Sequence, residues 1–300
     1  MRKIQLNKIG MLLKLTSKKW YQRDPFRESA IIAYNAIFSL PGLLVVVVSF
    51  AGYFFGADAV SGRLYSQIAS TMGNDLAIQI QDMISAANKS KDSWWATVLG
   101  IITIIIGATG VFVQIQKSLN TIWEVKGTSS KSGIWVFLKT RLFSFGLIMS
   151  IAFLLLVSLV LSSLLSALGT WTISRTSEGL LILFQILNFI FSLAIITVLF
   201  ACMFKILPDA KIKWRLVWIG AFFTSLLFVI GKSALGLYFG MANPGYGYGA
   251  AGSVILILLW TSYSSMIVFF GAEFTKAYSD YYYGEISASE NAVKEKEKIK

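Results

Sequence analysis

Six long apolar stretches dominate the pattern of hydrophobic and polar positions along this chain. A bilayer core about 30 Å thick is crossed by roughly 20 apolar residues in a helix, because each residue adds about 1.5 Å. All six stretches meet or nearly meet this length: Ala30–Phe55, Trp95–Val113, Leu142–Leu168, Leu180–Phe204, Val217–Phe239 and Ala251–Phe270. The pattern therefore predicts an all-α polytopic membrane protein with six transmembrane helices.

The lysines and arginines between these stretches alternate from one side to the other. The segments on the side of the two termini hold 22 of the 27 basic residues, the opposite segments hold 4, and Lys232 lies inside the fifth stretch. Because cytoplasmic segments carry an excess of Lys and Arg, both termini are predicted to be cytoplasmic. The net charge of +12 then reflects orientation and contact with anionic lipid headgroups, and nucleic acid is not predicted as a partner.

The chain divides into a leader over residues 1–28, a membrane domain over 29–277 and a charged cytoplasmic tail over 278–300. One helical face of the leader is apolar and the remainder carries lysines, which predicts an amphipathic helix in the cytoplasmic interface; a solvated basic leader is the alternative. The apolar face consists of Ile9, Leu12, Leu13, Thr16 and Trp20. The tail ends in NAVKEKEKIK, a composition that predicts disorder.

The only sizeable external segment, Gly56–Ser93, repeats apolar residues at helical spacing on both sides of Gly73-Asn74. This spacing predicts two short amphipathic helices that cap the outer face between the first and second spans. Their apolar sides either pack on the bundle or border an opening for an amphiphile.

Composition limits the chemistry of the chain. It has no histidine, and Cys202 is its single cysteine, so a disulfide within the chain and a zinc or haem site of ordinary ligands are not predicted. There is no Walker motif for ATP. We expect no catalytic residue, no metal and no cofactor.

Lys232 is the most unusual polar residue inside a predicted span. It lies roughly seven residues, about 10 Å, from the outer end of the fifth stretch, where a lysine is costly unless it reaches the surface. One interpretation is a lysine that snorkels to headgroup phosphate. The other is a cation that faces an internal cavity and holds an anionic headgroup or pairs with a carboxylate.

The first span contains a second group of polar residues. Tyr34, Asn35 and Ser39 precede Pro41, and a proline kinks a helix and frees backbone carbonyl groups. The kinked half is either a packing joint or one wall of a cavity that faces the cytoplasm.

Two further candidates lie in later spans. Gln185 and Asn188 in the fourth stretch either form interhelical hydrogen bonds or line a polar pathway. Glu273 lies near the cytoplasmic surface three residues before Lys276, a spacing that allows a local ion pair.

Four segments resemble the YihY/BrkB family of bacterial membrane proteins, once labelled ribonuclease BN. They are AYNAIFSLPGLL, GVFVQIQKSLNTIW, VLFACMFKILPDAKIKWR and LLWTSYSSMIVFFGAEFTKA. The resemblance implies a six-span protein of the inner or plasma membrane with cytoplasmic termini, and it links the chain to virulence and envelope lipid export. It brings no agreed active site, so its motif positions enter without roles: Ser39, Pro41, Asn120, Trp123, Pro208, Trp260, Gly271, Ala272 and Glu273.

These observations favour a transporter or flippase of an envelope lipid or another anionic amphiphile. A non-transporting membrane scaffold that supports envelope integrity is the alternative. A ribonuclease is disfavoured, because RNA hydrolysis requires a histidine or a cluster of carboxylates, and the acidic residues on the cytoplasmic side follow no recognisable motif.

Overall fold

The computed structural model describes residues 6–39, 110–127, 178–242, 244–289 and 292–294, together with scattered helical positions between 61 and 85. In chain order its elements are α1 (Leu6–Gln22), α2 (25–39), α3 (110–123), β1 (Val125–Gly127), α4 (Glu178–Ile206), α5 (Trp214–Ala242), a 3₁₀ helix (Tyr246–Ala251), α6 (Gly252–Tyr282) and β2 (Ala292–Lys294).

Three helices in the described part of the chain are long and apolar enough to cross a membrane. They are Ile186–Ile206, Trp214–Ala242 and Val254–Tyr282, and they contain most of the fourth, fifth and sixth apolar stretches. The first stretch is described as far as residue 39 and the second from residue 110, and both parts are helical. The third stretch and Pro41 lie outside the described residues.

Helices α5 and α6 approach closely at a reciprocal pair of glycines and threonines. A Cβ atom added to Gly220 would lie 1.8 Å from Thr275 Oγ1, and one added to Gly271 would lie 1.9 Å from Thr224 Oγ1. Each threonine hydroxyl donates a 2.7 Å hydrogen bond to the carbonyl of the glycine four residues before it. The hydroxyls are therefore satisfied within their own helices and need no partner across the contact. The glycines have no side chain, so the two backbones can pack tightly.

The main hydrophobic core lies where α3, α4, α5 and α6 meet. Trp123, Phe204, Leu119 and Val217 are almost completely buried there. Phe200 packs edge-on against Phe228, with ring centroids 5.6 Å apart. This core fixes the position of the C-terminal end of α3 relative to α6.

The predicted amphipathic leader helix is present as α1, and its apolar face packs on α6. Leu12 is buried in a cluster with Phe274 and Ala277. Trp20 donates a 3.2 Å hydrogen bond from Nε1 to the carbonyl of Met266. The chain turns between α1 and α2 at Asp24, whose φ of 51° lies in the left-handed region. The hydroxyl of Ser29 on α2 then hydrogen-bonds with that of Ser262 on α6 at 2.9 Å.

Four segments, of which α1 and the loop 207–213 are the most basic, meet at one end of the bundle, which we call the basic end. They are α1, β1 with the end of α3, the loop 207–213 and the segment 284–294. At this end β2 pairs antiparallel with β1, with Val125 opposite Lys294, and Ala210 bridges to Ala288. The backbone N–H of Lys211 donates to Ser287 O at 2.9 Å.

The prediction that the segment NAVKEKEKIK is disordered is wrong for residues 292–294, which form β2, and residues 284–289 before it are also described. The backbone N–H of Ser289 donates to Asp209 O at 2.9 Å, so the tail satisfies hydrogen-bonding groups of a loop that would otherwise need water. This partner is remote in sequence, and the composition of the tail carries no sign of it.

A smaller cluster lies at the opposite end of the bundle. Phe239, Leu256 and Ile257 are buried against Ile80, and Leu64 packs beside them. At the described positions the external segment is helical. Leu64, Ile68 and Ile80 pack on the bundle, whereas Ile78 is exposed.

Candidate functional site

A pocket of about 290 Å³ lies at the basic end, between the α1–α2 turn, α3 and α6. The rings of Trp20 and Phe269 contribute to its apolar lining. The charged groups that line it are Arg23, Asp24, Arg27, Glu28 and Glu273. The pocket therefore combines aromatic surface with charges of both signs.

Arg23 and Glu273 form an ion pair at this pocket. Glu273 is only 1% exposed, and its Oε1 contacts Arg23 Nε. Neither oxygen of Glu273 has a regular hydrogen bond among the described residues, so the contact is held mainly by charge. Arg23 also donates to Thr121 O and reaches Glu124 Oε1 at 3.3 Å, and these contacts tie the α1–α2 turn to the end of α3.

The charges continue from Arg23 as an alternating chain. Lys276 pairs with Glu124 and lies 3.8 Å from Asp280 Oδ2, and Lys19 lies 4.0 Å from the same Asp280 oxygen. The order is Lys19, Asp280, Lys276, Glu124, Arg23 and Glu273, with three cations and three carboxylates. We call this set the charge chain. Glu273 is its last member and has a single ion-pair partner within it.

The charge chain replaces the local pair expected from sequence. Glu273 and Lys276 do not pair with each other among the described contacts; Glu273 pairs with Arg23, and Lys276 pairs with Glu124 and Asp280. The sequence singled out Glu273 but not Arg23 or Glu124 as site residues. Positions separated by about 250 residues in the chain give no spacing signal, so the partner could be found only from the fold.

The pKa of Glu124 is shifted by its neighbours. Burial raises the pKa of this carboxyl, but the hydrogen bond from Lys276 and the positive charges of Lys276, Arg23 and Lys19 outweigh burial. The net result is a pKa below the ordinary value, because these neighbours favour the ionised form. Glu124 therefore remains negatively charged between Arg23 and Lys276 at neutral pH.

Polar residues of α3 connect the pocket to neighbouring segments. Glu28 Oε2 accepts hydrogen bonds from Gln114 Nε2 at 2.7 Å and Ser118 Oγ at 2.8 Å. Asn120 and Asp209 form two hydrogen bonds of 2.8 Å. Asn120 Nδ2 donates to Asp209 Oδ2, and the Asp209 backbone N–H donates to Asn120 Oδ1. These bonds give structural roles to the polar positions in GVFVQIQKSLNTIW.

The predicted polar residues of the first span lie elsewhere. Tyr34 is 62% exposed and contacts Phe38 edge-on at 5.1 Å. Asn35 donates to Ile31 O at 2.9 Å, and a Cβ on Gly110 would lie 2.5 Å from its Oδ1. Ser39 is buried and donates to Ala36 O at 3.1 Å. Asn35 and Ser39 thus hydrogen-bond within α2, and Asn35 also packs closely on α3 at Gly110.

The other predicted candidates are also separate from the pocket. Lys232 is half-buried on α5 and has no ion pair or hydrogen bond among the described contacts. Asn188 on α4 has a buried Oδ1 without a hydrogen-bond partner in the described part of the chain. The side chain of Gln185 lies outside the described residues. Of the candidates chosen from sequence, Glu273 is the one that lines the pocket.

Comparison with known proteins identifies the family. The virulence factor BrkB family matches the chain over residues 16–296. The chain belongs to this family. The BrkB assignment confirms the resemblance seen in the four sequence segments. With the three apolar helices, it shows that the chain is an integral membrane protein.

The BrkB-family relatives include proteins named UPF0761 membrane protein. The relative from Tolumonas auensis is 26% identical, with 85% of this chain and 81% of the relative covered. The relative from Pseudoalteromonas atlantica is 25% identical over 88% of this chain and 85% of its own length. The relative from Alcanivorax borkumensis is 27% identical over 86% of this chain, which spans 58% of that longer protein. No solved structure matches the chain.

The residues described here do not form a recognisable metal centre. Among them, no group of three His, Cys, Asp or Glu side chains is placed to hold a metal ion. The name of the family denotes a virulence factor, and the names of the relatives denote a membrane protein. The chemistry available at the pocket is ion pairing and burial of apolar surface.

Proposed function

We propose that this BrkB-family protein is a transporter or flippase of an anionic amphiphile, such as an envelope lipid, in the bacterial cell membrane. The observation that carries the proposal is the pocket at the basic end. There, Arg23 and Arg27 lie beside the aromatic surface of Trp20 and Phe269. An amphiphile presents the same combination of a charged headgroup and apolar chains.

The size of the pocket limits what can enter it. Its 290 Å³ lie at the lower end of the range for small-molecule sites, which suits a headgroup without its acyl chains. Arg27 is 69% exposed at the side chain and pairs with Asp24 at 3.8 Å and Glu28 at 3.3 Å, so an anionic ligand would compete with these carboxylates for it. A guanidinium group can bind two oxygens of one phosphate, so a phosphate-bearing headgroup fits this chemistry.

The sidedness of the pocket follows from the distribution of charge. The segments that meet at the basic end are those that the excess of Lys and Arg assigns to the cytoplasm. We therefore propose that the pocket opens to the cytoplasm and that the 3₁₀ helix Tyr246–Ala251 lies outside. In a Cys202→Ser background, an impermeant thiol reagent should label Tyr248→Cys in intact cells and Lys126→Cys only after permeabilisation. The reverse pattern would contradict this orientation.

Transport itself is tested with purified full-length protein in vesicles. Fluorescent phosphatidylglycerol in the two leaflets is distinguished by an impermeant quencher, with and without a pH gradient of either sign. We expect faster translocation than in protein-free vesicles, and a smaller increase for fluorescent phosphatidylcholine. A non-transporting scaffold would give the protein-free rate under every condition.

A further inference from the structure

The charge balance at the basic end sets a condition on anion binding. The charge chain contains three cations and three carboxylates, so it is neutral when all six groups are ionised. A single negative charge that enters the pocket would leave an excess negative charge in a largely buried place, which is unfavourable. One proton taken up together with the anion would restore neutrality.

Glu273 is the member of the charge chain best placed to take that proton. Glu124 contacts both Arg23 and Lys276, and Asp280 lies near both Lys276 and Lys19. Among the described residues, Glu273 has Arg23 as its single ion-pair partner and no regular hydrogen bond at either oxygen, and it is only 1% exposed. It also lines the pocket, so water in the pocket gives protons a route to it.

Arg23 is shared between the carboxylate and any ligand in the pocket. Its guanidinium already contacts Thr121, Glu124 and Glu273. An anionic headgroup would compete with Glu273 for this guanidinium group, and an ionised Glu273 without Arg23 would be a buried, unpaired charge. A neutral Glu273 carries no such cost.

We propose that Glu273 binds a proton when Arg23 binds an anionic headgroup, so that the two events are coupled. This inference rests on the proposed function and specifies how its pocket responds to pH. By thermodynamic linkage, the anion favours protonation of Glu273 and a low pH favours anion binding to the same extent. A proton gradient across the membrane would then bias the loading of the pocket on one side.

Charged groups from α1, the α1–α2 turn, α2, the end of α3 and α6 surround Glu273. The groups that act on Glu273 or line its pocket are Lys19, Arg23, Asp24, Arg27, Glu28, Glu124, Lys276 and Asp280. Of these carboxylates, Glu273 has the lowest exposure, so its protonation state depends most strongly on whether Arg23 is present.

The test uses sn-glycero-3-phosphoglycerol as the probe, because a phosphodiester keeps one negative charge across the neutral pH range. Binding to the full-length protein in detergent is measured by calorimetry in buffers that differ in ionisation enthalpy. We expect the wild-type protein to take up close to one proton per bound probe, with affinity that falls by up to about tenfold per unit rise in pH. The Glu273→Gln variant should bind without proton uptake and with little dependence on pH.

Glu285→Gln is the matched control, because it is the same substitution at a carboxylate that does not line the pocket and is 80% exposed at its side chain. We expect this variant to retain the wild-type affinity and proton uptake. Wild-type binding without proton uptake would overturn the coupling and leave the transport proposal intact. No binding of the probe by the wild-type protein would overturn both the coupling and the assignment of this pocket.

Discussion

Gly220 on α5 packs so closely against Thr275 on α6 that a Cβ on the glycine would lie 1.8 Å from the threonine Oγ1. Gly271 and Thr224 repeat the contact with the helices exchanged. Both threonine hydroxyls are bonded within their own helices, so the crossing is held by close packing. This crossing places α6, and with it Glu273, against the rest of the bundle.

The first prediction concerns this crossing. Gly220→Ala should lower stability by about 1–3 kcal/mol, because the added methyl group forces the helices apart. Gly240→Ala is the control on the same helix, since a Cβ there meets nothing within 4 Å, and we expect no loss. Thermal unfolding of both variants in the same detergent checks this. Equal midpoints for the two variants would show that the contact is not tight.

The second prediction concerns the tail at the basic end. Removal of residues 285–300 deletes β2 and the partners of Asp209 and Lys211. The backbone amides of β1 that bond to β2, and the amide of Lys211, should then exchange hydrogen faster, because their hydrogen bonds are lost. Removal of residues 295–300 alone keeps these bonds and should leave exchange unchanged. Unchanged protection in the longer deletion would contradict the observed pairing.

The fourth, fifth and sixth spans could be predicted from the sequence, but the contacts between distant segments could not. Long apolar stretches carry their own signal, and α4, α5 and α6 lie where it indicated. Gly220 and Thr224, like Gly271 and Thr275, have a four-residue spacing that could have identified the crossing. The strand at residues 292–294 could not be recognised, because three residues of a charged segment show no alternation and their partner lies at residues 125–127.

For the same reason, the sequence pointed to only one of the two residues that form the ion pair at the pocket. Glu273 was a candidate because an acidic residue near a span is unusual. Arg23 was one of several charges before the first span, and nothing in its neighbourhood distinguishes it from Arg27. The difference arises in the fold, since the turn at Asp24 directs Arg23 toward α6 while Arg27 remains exposed.

The third prediction concerns pH and Glu124. Its pKa is below the ordinary value of 4.5, so the ionised carboxylate stabilises the folded state above that pH, and the effect is lost as the pH falls toward the folded pKa. Glu124→Gln should therefore lower the thermal midpoint at pH 7 more than at pH 4. Asp24→Asn, at a largely exposed side chain, should have a small effect at both values. A Glu124→Gln difference that does not change with pH would count against the ion pairs.

The fourth prediction concerns Lys232, which lies on α5 while the pocket is lined by residues of the α1–α2 region, α3 and α6. It has no ion pair in the described part of the chain, and a lysine near mid-span costs about 2.5–3.5 kcal/mol on insertion scales unless it snorkels. Lys232→Met should therefore unfold at an equal or higher temperature and translocate lipid at the wild-type rate. A large loss of translocation at matched protein levels would place the substrate pathway at Lys232 instead.

The central claim is that the pocket around Arg23 binds the lipid during transport, and removal of the positive charge of Arg23 tests this most directly. Because Arg23→Gln alone would leave Glu273 buried and unpaired, the double variant Arg23→Gln/Glu273→Gln keeps the charge chain neutral. Lys18→Gln, at an exposed position of α1, is the matched control. Translocation of fluorescent phosphatidylglycerol in vesicles should fall at least about tenfold in the double variant, which corresponds to about 1.4 kcal/mol, and should be unchanged in Lys18→Gln. Wild-type rates in a correctly folded double variant would contradict the account.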